Sequence, residues 1–244
     1  MNDAQLAASL AASAGEILLA IRRCGLISGK ALGRAGDQAA NELLVHALRE
    51  QRPDDGLLSE ETKDTAERLA RSRTWIIDPL DGTREFAEGR SDWAVHVALV
   101  VDGAATVGAV GLPALGTILR SDQPAALPPL GTPPRIVVSR TRPPQEAQQV
   151  AEALGAEMIA MGSAGAKAMA VVRGEADIYL HSGGQFEWDS AAPVAVAAAH
   201  GLHCSRIDGS PLVYNQPNAY LPDLLVCRAE LRAAAIAALA RVSR

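Results

Sequence analysis

The sequence predicts an α/β chain with an α+β first half and an α/β second half, on three observations. Two Ala- and Leu-rich helical patterns precede strands and a hairpin, strands and helices alternate after residue 135, and a proline-rich stretch separates the two textures. That stretch, Asp122 to Pro134, holds five prolines, one glycine and no periodic pattern. It reads as a linker between an N-terminal domain, residues 1–134, and a C-terminal domain, residues 135–244.

Asp3 to Ile21 is dense in Ala and Leu, and Asp37 to Gln51 places Ala40, Leu43, Leu44, Ala47 and Leu48 at helical spacing. Both read as helices, with Asp37 where an N-cap belongs. Short apolar strands follow at Gly56 to Ser59 and Thr74 to Ile77. A longer one, Trp93 to Val101, is closed by Asp102-Gly103 and answered by Ala104 to Gly111, a hairpin pattern. Beyond the linker come strand Arg135 to Ser139, helix Pro144 to Leu154, strand Glu157 to Met161, helix Ala164 to Arg173, strand Ala176 to Leu180 and helix Asp189 to His200. Short strands near His203 to Ser205 and Leu224 to Cys227 precede a last helix, Glu230 to Ala240.

Composition narrows the function classes. A chain of 244 residues that is 48% hydrophobic can bury a sizeable core. Its net charge of −5 argues against a nucleic-acid polymer or an anionic membrane as partner, while a small anionic substrate remains compatible if a metal neutralises it. The three cysteines, Cys24, Cys204 and Cys227, are widely spaced and form no CxxC pair, so neither a disulfide framework nor a zinc site is suggested. The N-terminus lacks a basic segment before an apolar run, and no stretch reads as an uncharged membrane span, so the chain reads as cytoplasmic.

The chemistry concentrates in Trp75-Ile76-Ile77-Asp78-Pro79-Leu80-Asp81-Gly82-Thr83. An apolar strand runs into two carboxylates three apart, then a glycine and a hydroxyl, an arrangement that can hold a hard cation by oxygen donors. Alone, it is also ordinary turn chemistry. Two further acidic segments change that balance: Leu57-Leu58-Ser59-Glu60-Glu61 and Glu187-Trp188-Asp189-Ser190-Ala191-Ala192-Pro193, each at the end of an element. Glu60, Asp78, Asp81 and Asp189 together suit magnesium and a phosphate, and four acids crowded without a cation would raise one another's pKa values. Gly82 permits close approach of a phosphate to the backbone, and the Thr83 hydroxyl can orient an attacking water.

The SEE, DPLDGT and WDSAAP segments, in this order, resemble the metal-binding motifs of the inositol monophosphatase superfamily. The resemblance covers roughly residues 5 to 240 and implies a layered αβαβα sugar-phosphatase fold. Arg84-Glu85-Phe86 resembles the 3′(2′),5′-bisphosphate nucleotidases of CysQ type more than the inositol monophosphatases proper. Gly162-Ser163-Ala164-Gly165-Ala166-Lys167, with Asp177-Ile178-Tyr179-Leu180, looks closest to the CysQ proteins of mycobacteria and related actinobacteria.

The resemblance implies that Glu60, Asp78 and the Leu80 carbonyl hold one magnesium, that Asp78, Asp81 and Asp189 hold a second, and that Glu60 helps place a third. It implies that Thr83 donates a hydrogen bond to Asp37 and that this pair, with Glu60, activates the water. Asp81, Gly82, Thr83, Gly162, Ser163 and Asp189 would border the substrate, and Arg84, Lys167 and Arg140 are the candidates for its second phosphate. One departure stands out: Arg34-Ala35-Gly36 precedes Asp37 where that pattern has a threonine, which leaves the geometry of the loop open. His96 and His181 read as structural histidines, and Trp75 and Trp188 as core beneath the ligands rather than a base-stacking surface.

The implied activity is hydrolysis of the 3′-phosphate of adenosine 3′,5′-bisphosphate, with action on 3′-phosphoadenosine 5′-phosphosulfate, a place in sulfate assimilation, lithium inhibition and a homodimer implied by the same resemblance. Inositol 1-phosphate or fructose 1,6-bisphosphate as substrate is the nearest rival. A non-catalytic module binding magnesium and phosphate is the rival of another class.

Overall fold

The computed structural model describes residues 1–241; the last three residues of the C-terminal domain as drawn from the sequence lie outside the described residues. Two five-stranded sheets carry the fold. The first is built from β1 (Gly56–Ser59), β2 (Arg73–Asp81), β3 (Ala94–Val101), β4 (Ala104–Leu112) and β5 (Thr117–Arg120), in that spatial order, with β1 parallel to β2 and the rest antiparallel. The second comprises β6 (Arg135–Ser139), β7 (Glu157–Met161), β8 (Ile178–Phe186), β9 (His203–Ser205) and β10 (Tyr220–Cys227), in spatial order β7-β6-β8-β10-β9.

Side-chain alternation along the strands sorts the helices into layers. Trp75 and Ile77 of β2, with Val95, Val97 and Leu99 of β3, face the long helices α1 (Asp3–Arg23) and α2 (Gly29–Gln51), meeting Leu6, Leu10, Leu18, Leu44 and Leu48. The opposite face offers Ile76, Ala94, Ala98 and Val110 to α5 (Ala164–Val172) and α6 (Glu187–Ala199), which also pack on the second sheet. Outside that sheet lie α4 (Gln145–Leu154) and α7 (Arg232–Leu239), over Ile136, Val138, Ile178, Leu180 and Leu225. The stack is α-β-α-β-α, with the five-residue α3 (Thr83–Ala87) at the end of β2.

The middle layer is narrow because its side chains are small. A Cβ on Gly108 of β4 would lie 2.6 Å from the Ala192 carbonyl, so the Ala-rich α6 sits directly on β4. The linker crosses between the sheets and is tied down by Asp177, which accepts from the amides of Gly131 (3.1 Å) and Arg135 (2.8 Å).

Several boundaries differ from the sequence reading. α2 begins at Gly29, eight residues before Asp37, so Asp37 is a buried mid-helix residue and not an N-cap. Gly29, Gly33 and Gly36 hid that start, since glycine is a poor helix former. Gly33 and Gly36 are required by packing: Cβ atoms there would meet Thr83 and Phe86 at 2.6 and 3.0 Å. β2 continues through Pro79 to Asp81 by way of an irregularity between Asp78 and Asp81, where a proline's missing donor is tolerated. β8 runs on to Phe186 and passes straight into α6, and β5 was not foreseen. α1 is apolar and long enough to cross a membrane by length and composition, though Glu16 interrupts it, and Leu6, Leu10, Ala14 and Leu18 bury that apolarity in the core.

Candidate active site

The segment after β1, the end of β2 and the N-termini of α5 and α6 converge on one cleft of about 790 Å³, while Asp37 in the middle of α2 lines a neighbouring cavity of about 640 Å³ that shares Thr83 and Arg84 with it. Asp78, Asp81 and Asp189 each bring a carboxylate oxygen to within 4.8 Å of the others. Glu60 stands at the same cleft on the segment after β1. The sequence-predicted acids from three separate segments therefore meet.

Their electrostatics are unequal. Asp78 is fully buried and accepts from the Leu80 amide at 3.0 Å; its pKa is driven well above the carboxylate range by burial, then by the charges of Glu60, Asp81 and Asp189. Partial removal from water, then the Asp189 and Asp81 charges, push Glu60 up to about 7, while burial and Asp81 push Asp189 to about 6. Burial would raise Asp81 too, but its donors prevail and hold it below the usual range. Those donors are the Ser163 hydroxyl (2.5 Å) and the amides of Gly165 (2.6 Å) and Ala164 (3.1 Å), and the His96 imidazole adds its charge with Nε2 3.3 Å away, outside hydrogen-bond geometry.

Asp81 is thus seated on the start of α5, and the chain is shaped for it. Ser163 adopts a positive φ of 52° as the N-cap and also accepts from the Ala166 amide. Gly165 must lack a Cβ because the His96 ring occupies that space. His96 is fully buried, with Nδ1 donating to the Trp188 carbonyl at 2.9 Å and Nε2 facing Asp81. Burial opposes charging the ring, yet Asp81 raises its pKa, so the imidazole bridges the two acidic segments from β3. Sequence reading gave His96 no role; the signal, a glycine demanded by a distant ring, is three-dimensional.

The expected Thr83–Asp37 hydrogen bond is replaced. Thr83 Oγ1 donates to the Leu80 carbonyl at 3.2 Å, and Asp37 Oδ1 is buried without a partner. Burial, then Glu61 and Glu60, push Asp37 up to about 8, with Thr83 near enough to oppose the rise. Gly82 holds a left-handed φ of 90°, which lets β2 turn into α3 beside Ser163.

The remaining predicted residues line the cleft with varied freedom. Arg84 is exposed and makes no ion pair among the described residues, as does Arg142, which the sequence reading did not single out. Arg140 is engaged across the cleft, donating to Glu85 at 2.7 Å and Glu88 at 2.6 Å. Lys167 is buried and donates to the carbonyls of Gly162 and Ser163, with its ammonium 5.3 Å from the Tyr179 ring centre. The Gly162 amide is spent on Asp92 at 2.7 Å and the Ser163 hydroxyl on Asp81, so both groups organise the site's walls in this arrangement. Trp188 packs against the middle core as read from the sequence, but it is only half-buried and also lines the cleft, stacked on Phe186.

The residue set fits a hard divalent cation: its donors are all oxygens, three acids share one space, and the raised pKa values of Asp78, Asp189 and Glu60 mark charge that a cation would relieve.

Comparison with known proteins agrees with this geometry. The model of the inositol monophosphatase family matches residues 4–125 and 133–243. A 3′-phosphoadenosine 5′-phosphate phosphatase of Mycobacterium leprae is 54% identical over 246 residues, covering 95% of this chain and 91% of the relative. The 3′(2′),5′-bisphosphate nucleotidase CysQ of Escherichia coli is 31% identical over 199 residues, covering 77% of this chain and 81% of that protein. The crystal structure of CysQ from Bacteroides thetaiotaomicron superposes with a TM-score of 0.78 at 26% identity, covering 93% of this chain and 97% of that one.

Proposed function

The chain belongs to the inositol monophosphatase family, and on that premise we propose that it is a magnesium-dependent phosphatase acting on adenosine 3′,5′-bisphosphate, with AMP and inorganic phosphate as products. The observation that carries the reading is the meeting of Asp78, Asp81 and Asp189 at a cleft roomy enough for a nucleotide and bordered by Arg84, Arg142 and Lys167. The kinship with 3′-phosphoadenosine 5′-phosphate phosphatases supplies the substrate class.

Glu60, Asp78, the Leu80 carbonyl, Asp81 and Asp189 would hold two or three magnesium ions. Magnesium bound there supplies Lewis-acid activation of water and neutralises phosphate oxygens. The protein's own groups do the rest. Thr83 exchanges its bond to the Leu80 carbonyl for one to Asp37, whose unpartnered Oδ1 is ready to accept it, and the hydroxyl oxygen then accepts from the attacking water. The attacking water passes a proton through the Thr83 hydroxyl to Asp37 as its oxygen bonds to phosphorus, the bond from phosphorus to the 3′-oxygen breaks, and that oxygen takes a proton from solvent water, giving AMP and inorganic phosphate. Gly82, Thr83 and Ser163 line the cleft where the phosphate would sit. Arg84, aided by Arg142 and Lys167, meets the 5′-phosphate; Arg140 joins them only by releasing Glu85 or Glu88.

The same machinery accommodates 3′-phosphoadenosine 5′-phosphosulfate, and with it a place in sulfate assimilation in the cytoplasm; a homodimer is the corresponding assembly. The deciding measurement is kcat/KM on adenosine 3′,5′-bisphosphate, inositol 1-phosphate and fructose 1,6-bisphosphate, with magnesium and with chelator. The nucleotide should lead and chelator should abolish turnover. A sugar phosphate in the lead overturns the substrate assignment, and no turnover on any of the three overturns the catalytic reading.

A further inference from the structure

Where the purine sits follows from an accounting of the aromatic side chains. The chain has three Trp, three Tyr and two Phe. Trp75, Phe86, Trp93, Tyr179 and Tyr214 are buried. The three that remain, Phe186, Trp188 and Tyr220, form a single cluster. Phe186 stacks on Trp188 with ring centres 4.7 Å apart and planes 9° from parallel, and Tyr220 meets Phe186 edge-on at 6.0 Å and 81°. Phe186 nevertheless stays 44% exposed. Trp188 and Tyr220 cover part of the ring and leave the rest open.

The exposed part of Phe186 belongs to the acidic cleft. Phe186 and Trp188 line it together with Asp81 and Asp189. Phe186 is the residue before α6, and its amide donates to Asp189 Oδ2 at 2.7 Å, so the ring is fixed within one residue's reach of the carboxylate cluster. The strand beneath is cleared for the cluster: Gly184 has a φ of 94°, and a Cβ there would lie 2.6 Å from the Tyr220 hydroxyl.

We infer that Phe186, backed by Trp188 and braced by Tyr220, is the platform on which the purine base of the substrate stacks. The inference rests on the nucleotide reading above. A partly exposed aromatic ring backed by a second, stacked ring is a surface for a flat π-system, and a ribose bearing the reacting phosphate carries such a system one sugar away from the carboxylates. A rim aromatic that merely shields Trp188 would be replaceable by any apolar side chain of similar volume.

The test compares the unaltered protein with F186A, F186L and F186W, measuring the ratio of kcat/KM on adenosine 3′,5′-bisphosphate to that on inositol 1-phosphate, which has no base. F186A and F186L should lower the ratio about five- to a hundredfold, chiefly through KM on the nucleotide, and F186W should restore it. AMP affinity in the presence of magnesium, measured by calorimetry, should weaken in the same order. Ratios and AMP affinities within twofold of the unaltered protein in F186A and F186L would overturn the platform, as would recovery of both by F186L alone. Absence of nucleotide turnover in the unaltered protein would instead strike the proposed function, and the AMP measurement would still decide the platform.

Discussion

Asp78 and Asp81 lie three residues apart and are opposite in physical character. Asp81 is held by a hydroxyl, two amides and His96, and stays ionised; Asp78 is equally buried but accepts from one amide, so its charged form lacks support until a cation arrives. Asp78→Asn should therefore abolish turnover while raising the melting temperature of the metal-free protein at pH 8, by roughly 1 kcal/mol of stability, because a buried acid no longer has to ionise. Calorimetry in chelator beside a phosphate-release assay checks both halves. Thr83 and Asp37 separate in another way. Neither Thr83→Ala nor Asp37→Asn removes a cation ligand, so kcat should fall by about 10²–10⁴ with magnesium affinity retained. A loss confined to magnesium affinity would remove them from water activation.

At the scale of elements, the sequence disclosed what repeats locally and concealed what packing imposes. Apolar runs ending in turn residues located β1, the β3–β4 hairpin, β6 and β7 to within a residue. α2 was cut short because its glycines answer to Thr83 and Phe86, side chains about fifty residues away that no local pattern contains. β8 extends past Leu180 because Gly183 and Gly184 take positive φ values within a continuing strand, and the missing Cβ of Gly184 leaves room for Tyr220. The contact of α6 with β4 obeys the same rule and yields a prediction. Gly108→Ala inserts a methyl against the Ala192 carbonyl and the Ala195 methyl, so it should cost about 1–3 kcal/mol. Since α6 carries Asp189, the displacement should also raise the magnesium concentration needed for half-maximal activity. Denaturant melts and a magnesium titration read the two effects, and a loss of stability with unchanged magnesium dependence would show that Asp189 is positioned independently of this contact.

For the whole molecule, the legible part of the site was its acids, since Glu60, Asp78, Asp81 and Asp189 announce themselves by charge at the ends of apolar runs. Illegible were the groups that decide how those acids ionise: His96 behind Asp81, α5 beneath it, and the orphaned Asp37 oxygen. That surrounding makes stability depend on pH and magnesium together. Asp37, Glu60 and Asp189 titrate near 8, 7 and 6 in the metal-free fold, above the values near 4 of an unfolded chain. A carboxyl whose folded pKa is raised contributes stability below its unfolded pKa and loses it as pH climbs through the folded one. The metal-free protein should accordingly lose stability from about pH 4 to about pH 8. Magnesium binds the ionised acids of the folded state alone, so its stabilisation should grow over the same interval. Melting curves in chelator and in millimolar magnesium, taken at pH 5 and pH 8, should give a magnesium-induced rise that is several degrees larger at pH 8. An equal rise at both would mean that Glu60 and Asp189 are not the groups magnesium relieves.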